Sequence, residues 1–187
     1  MRKTGNTLLL VAGLLAALGP GVVTADDGSG PAPRWSVTAA GAVVSPEGGR
    51  EGYGGMVNLA WRTPYQSPGA PRAYFGLEVE LLETTDSFSR DRSSGRIEGD
   101  MRSLGLYLAA NTYFSERGFY RARLGGVYRY LDESHRDGRH QGRMGFGLGL
   151  GYSLSERIDL VGDAGLQYLG QDLRLLYTGT AGIRVHF

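Results

Sequence analysis

Cysteine is absent from the 187 residues, which excludes both a disulfide framework and a lipid-modified cysteine anchor. Lysine is nearly absent as well: Lys3 is the only one, and every other basic side chain outside the histidines is arginine. No excess of one charge exists, the formal net charge being +1, so no global field steers the chain toward nucleic acid. Beyond the first 25 residues no apolar run approaches the roughly 20 residues a spanning helix requires. Glycine, by contrast, is abundant at 31 residues. It follows no collagen period and sits inside apolar alternation rather than in linkers.

The N-terminal stretch has the three parts of a secretory signal in order. Arg2 and Lys3 supply the charge, Leu8 to Leu18 the apolar run, and Val23-Thr24-Ala25 the small residues at a cleavage point. A Gly19-Pro20-Gly21 break argues against a membrane anchor. We expect residues 1–25 to be removed, leaving a short polar leader at 26–33 and one domain at 34–187. The remaining length, about 160 residues, is enough for a single domain with its own core.

That domain alternates with period two, segment after segment. Trp35, Val37, Ala39, Gly41 and Val43 share one face, as do Tyr53, Gly55, Val57, Leu59 and Trp61. Phe75, Leu77, Val79 and Leu81 oppose Tyr74, Gly76, Glu78 and Glu80, and Leu104, Leu106 and Leu108 oppose Gly105 and Tyr107. Tyr120, Ala122, Leu124, Gly126, Tyr128 and Tyr130 lie opposite Arg121, Arg123 and Arg129. The last segment sets Phe187, Val185, Ile183 and Ala181 against His186, Arg184, Gly182 and Thr180. Eight such segments are present, and helical spacing fits none of them as well. Polar connections at 45–51, 84–100, 132–142 and 170–172 alternate with a proline-rich one at 63–71 and two short turns. The fold class read here is all-β, an eight-stranded antiparallel barrel with its longer loops at one end.

Alternation does not say which face is inside. A soluble lipocalin-type barrel would turn the apolar face inward. Two features favour the inverse. Aromatic residues of the apolar face gather near strand ends: Trp35, Trp61, Phe75, Phe114, Tyr120, Tyr152 and Phe187 at one end, and Tyr53, Tyr130, Phe146, Tyr168 and Tyr177 at the other. Such belts match two membrane interfaces. The second feature is the polar face of the sixth segment, which reads Gly145, Gly147, Gly149, Gly151. Glycines weaken a solvated strand, but in a cramped lumen each one leaves room for a neighbour's large side chain.

The final strand, with Thr180, Gly182, Val185 and Phe187 at their offsets, is similar to the outer-membrane assembly signal. With the signal peptide and the eight segments, the chain resembles the small outer-membrane β-barrels of the OmpA-barrel, OmpX and opacity-protein type. The resemblance implies residence in the bacterial outer membrane, among its lipid and lipopolysaccharide. It also implies escort by periplasmic chaperones and insertion by the barrel assembly machinery. No cofactor, metal or nucleic-acid partner is implied, and a monomer is expected.

Eight strands enclose only enough space for side chains to fill. The inward positions include Glu78, Glu80, Arg121, Arg123, Arg129, Asp159, Asp163 and Arg184. Charges of both signs away from water must be paired or hydrogen-bonded. We therefore expect an ionic network that closes the lumen, with arginines reaching across the glycine strip, and we place Arg123 with Glu78 or Glu80. Its role would be structural or porin-like. Binding of lipopolysaccharide or a partner through the arginine-rich loop 84–100 is the alternative. Lipid A hydrolysis is a weaker one. His135, His140, Asp132, Glu133, Ser134 and Asp137 crowd one loop, but the His-x-Ser-Asn pattern of the deacylases is absent and adjacency in sequence is not triad geometry. No catalytic residue is assigned, and the imidazoles of that loop have no fixed frame for a metal.

Overall fold

A segment with one apolar and one polar face has to bury or immerse each face differently, and closing a sheet on itself does both at once. The computed structural model describes residues 35–46, 49–66, 73–85, 88–92, 95–133, 136–168 and 175–187, with side chains in all of these except 65–66, 88–92, 95–99, 131–133 and 136–140. The strands are β1 (Trp35–Pro46), β2 (Gly49–Arg50), β3 (Gly52–Gln66), β4 (Ala73–Thr84), β5 (Phe88–Arg92), β6 (Gly95–Tyr113), β7 (Gly118–Glu133), β8 (Arg136–Ser153), β9 (Ile158–Tyr168) and β10 (Leu175–His186).

Leaving aside the short β2 and β5, each strand pairs antiparallel with the next along the chain. β1 pairs with β10 through rows such as Val37↔Val185 and Ser36↔His186. The result is a closed, eight-stranded, all-β up-and-down barrel. Closure leaves the barrel wall no unpaired edge. The seam is also tied at its end: Phe187 N–H donates to the Trp35 carbonyl at 2.9 Å, and Trp35 N–H donates to the Phe187 carbonyl at 3.3 Å.

Two stretches read as loops prove to be largely strand. β5 pairs with the start of β6, from Arg92↔Gly95 to Phe88↔Gly99. β7 continues to Glu133, and β8 already begins at Arg136, with Tyr130 opposite His140. β2 pairs with β5 at Gly49↔Arg90, so two of the connections meet. In these stretches the apolar alternation is lost from the sequence while the backbone pairing continues. The proline-rich connection is likewise shorter than its composition suggests, since β3 runs to Gln66 with a register shift between Arg62 and Gln66.

The apolar face is outside. Leu106, Leu124, Leu148 and Leu150 stand exposed around the wall, each more than half accessible. Aromatics at the short-turn end pack together, Phe114 on Tyr120 with ring centroids 4.5 Å apart and Trp35 beside Trp61 at 6.4 Å. Among the described residues no helix is long and apolar enough to cross a membrane; crossing by strands is a separate matter. Inside, polar and charged side chains fill the middle and the short-turn end. At the other end, where β5–β6 and β7–β8 run on as long hairpins (the hairpin end), the filling changes to an apolar cluster of Ala42, Val44, Met56, Leu82, Met101 and Leu176.

Candidate functional site: the charged lumen

Register rows explain how distant strands share one site. Arg121 on β7 stands opposite Gly149 on β8, which stands opposite Asp163 on β9. With no side chain in the middle of that row, Arg121 Nη1 donates across it to Asp163 Oδ2. The other nitrogen, Nη2, donates to Glu78 Oε2 on β4. One guanidinium thus links opposite parts of the barrel wall. Asn58 Nδ2 donates to the same Glu78 oxygen at 3.1 Å, and Arg184 Nη2 lies 3.9 Å from the other carboxylate oxygen.

A second centre lies nearer the hairpin end. Arg123 Nη1 donates to Glu80 Oε2, reaching past β6 where Gly105 and Ala109 leave space. Its guanidinium carbon lies 4.8 Å from the centroid of Tyr107, within cation–π range. The Tyr107 hydroxyl hydrogen-bonds Glu80 in turn. A Cβ on Gly147 would sit 2.7 Å from Arg123 Nε, and one on Gly145 would sit 3.0 Å from the Tyr107 ring. Gly151 leaves the same kind of room for Phe119, a fully buried side chain of β7. The glycine strip is therefore where the interior keeps its largest side chains.

Glu78, Glu80, Arg121, Arg123, Arg129, Asp159, Asp163 and Arg184 are all buried. The partnering departs from expectation at Asp159, while Arg184 and Arg129, for which the sequence named no partner, donate to neutral groups. Asp159 faces His186 rather than an arginine, its Oδ2 lying 2.7 Å from Nε2, and the Ser153 hydroxyl also bonds it. Arg184 donates from Nε to Thr38 Oγ1 at 3.3 Å, with Glu78 beyond hydrogen-bond reach, and it stacks 6.0 Å from the Phe119 ring centroid. Arg129 donates to a neutral group, Gln167 Oε1. Neutral and aromatic members of the lumen (Asn58, Tyr107 and Phe119) were not singled out from the sequence, although Tyr107 stood on its polar face. The terminal-strand residues alternate as expected, Thr180 inward and Val185 and Phe187 outward. The side chains of residues 131–140, with His135 and His140, lie outside the described set.

A barrel with apolar side chains outside and ion pairs inside is the arrangement of small transmembrane β-barrels. The sequence matches no protein-family model and no curated protein. Solved structures do match in fold. Ail, the attachment invasion locus protein of Yersinia pestis, solved in complex with the heparin analogue sucrose octasulfate, is 16% identical with a TM-score of 0.53, covering 82% of this chain and 97% of its own. Neisserial surface protein A is 17% identical with a TM-score of 0.55, covering 84% and 98%. The outer membrane protein OprG of Pseudomonas aeruginosa is 11% identical with a TM-score of 0.57, covering 83% and 96%. At these identities the likeness is one of fold, and the fold is that of the small outer-membrane β-barrels.

Proposed function

We propose that this chain is an integral protein of the bacterial outer membrane, with a structural role and a lumen closed to ions. The observation that carries the reading is Arg121, buried and held at once by Glu78 and Asp163 from opposite parts of the wall. A guanidinium so placed obstructs the narrowest kind of barrel interior, and moving it would leave two carboxylates uncompensated. The exposed belt of leucines with aromatics toward its ends supports lipid and lipopolysaccharide as the surroundings.

The same reading gives residues 1–25 as a cleaved export signal, 26–33 as a leader and 34–187 as a monomeric barrel. Thr180, Gly182, Val185 and Phe187 are then the sequence recognised by the assembly machinery after periplasmic chaperones deliver the chain. A second reading, adhesion to a partner, is favoured by one observation. The connections at the hairpin end form paired strands, β2 with β5 and β5 with β6, which present an ordered backbone rather than bare loops.

Planar-bilayer recording of the refolded protein tests the first reading. We expect a silent bilayer at moderate voltage. Discrete, reproducible openings of the unmodified protein would overturn the closed lumen.

A further inference from the structure

Four arginines are buried in the lumen at 4% exposure or less. Three of them, Arg121, Arg123 and Arg184, lie within 4 Å of a carboxylate oxygen. Arg129 does not: its partner is the neutral Gln167, and its Nε–H has no acceptor among the described residues. The register sets it opposite Ser103 and Gln141, six residues along β7 from Arg123, which is about 20 Å of strand away from the Arg123–Glu80 centre.

A second arginine is close by. Arg143 lies two positions from Gln141 on the same inward face of β8, near enough for its charge to repel that of Arg129. Among the described residues it too donates to neutral groups, to Gln141 Oε1 at 2.8 Å and to the Gly142 carbonyl at 3.0 Å, and its buried Nε finds no acceptor there. Among the described residues, β3, β4 and β6 contribute Met56, Leu82, Met101 and Ser103 at this level, none of them charged. A buried guanidinium with no counter-charge is costly to keep and does not deprotonate. Here a buried one, Arg129, adjoins a partly buried one, Arg143, and among the described residues both donate to neutral groups.

We propose that Arg129 and Arg143 form an anion site at the hairpin end of the lumen, taking a phosphate- or sulfate-type oxyanion. Two guanidinium groups with free Nε–H donors match the several oxygens of such a group. Arg143, being only partly buried, gives the site its access from outside. The oxyanion is either free in solution or carried on a lipid A headgroup, and the chemistry at the arginines is the same.

The test uses the barrel refolded in zwitterionic micelles, where neither membrane residence nor conductance enters. Its unfolding midpoint is followed against inorganic phosphate at fixed ionic strength. Ligand linkage raises the midpoint of the wild-type protein along a saturating curve. Arg129→Gln and Arg143→Gln lose that rise, while Arg102→Gln, on the outer wall, keeps it. Arg143→Glu also loses it, because it supplies Arg129 with a carboxylate of its own. Should Arg129→Gln fail to refold, the part-exposed Arg143→Gln carries the same comparison. A parallel series in vesicles, without inorganic phosphate in the buffer, compares bisphosphorylated with dephosphorylated lipid A. A rise confined to the phosphorylated lipid assigns the site to a headgroup, and one confined to inorganic phosphate assigns it to a free anion. No rise in the wild type in either series, or a rise retained by Arg143→Gln, overturns the site.

Discussion

Arg121 and Asp163 stand on one register row with Gly149 between them, and their ion pair passes over the place where a side chain at Gly149 would be. A Cβ added there would fall on the Asp163 carboxylate. The consequence reaches beyond one pair, because Arg121 also holds Glu78. Gly149 thereby decides whether three strands can be tied together from inside.

Substitutions on the two faces of β8 should fail for different reasons. Gly149→Leu displaces Asp163 from Arg121 and should cost about 1–3 kcal/mol through overpacking. Leu148→Arg puts a charge on the lipid face and should cost about 2–4 kcal/mol near the midplane, and less toward an interface. Urea unfolding in lipid vesicles measures both. A neutral Leu148→Arg would mean that the wall around β8 does not face lipid.

Burial should separate two ion pairs of similar chemistry. Glu78 is buried and serves Arg121, Asn58 and Arg184 together. Glu78→Ala should cost about 3–5 kcal/mol by leaving buried cations short of charge. The Arg102–Glu83 pair, 2.8 Å long, has side chains 65% and 26% exposed on the outer wall. Arg102→Ala should change stability by about 0–1 kcal/mol. Equal losses in the two variants would contradict the burial argument.

The terminal aromatic is expected to act during assembly more than in the finished barrel. Phe187 keeps its backbone bonds to Trp35, while its ring stands about half exposed at the short-turn end. Deleting Phe187, or replacing it with serine, should lower the amount of protein in the outer-membrane fraction and expose it to periplasmic proteolysis. Normal levels of protease-resistant barrel would show that the ring is not read during insertion.

Much of this was legible from alternation alone. Period two fixed the strands and their faces, and four glycines in a row of inward positions marked where large side chains had to fit. Of the arginines expected to reach across that strip, Arg121 does so, passing over Gly149 to Asp163, while Arg123 lies over Gly147 and turns the other way to Glu80. The partner of each charge was harder to read, because pairing across a barrel depends on strand stagger, which no local pattern records. Hence Asp159 meets His186, and Arg129 meets Gln167. The apolar filling of Val44, Met56, Leu82, Met101 and Leu176 was hidden for another reason. Those residues sit on the polar face of their strands, singly, and only closure brings them together. The extensions of β6, β7 and β8 carry no apolar stripe, so composition disguised them as loops.

The central claim is that opposite charges inside the barrel hold it closed, and Arg123 with Glu80 is its cleanest case, since each is buried and the two are bonded directly. A double-mutant cycle of Arg123→Ala and Glu80→Ala, read by urea unfolding in lipid vesicles, isolates their coupling. We predict that each single change destabilises the barrel by about 3–5 kcal/mol. The double variant should recover part of the loss, for a coupling of about 0.5–3 kcal/mol. A coupling indistinguishable from zero would contradict the claim, and would mean that the lumen is filled by charges without being held by them.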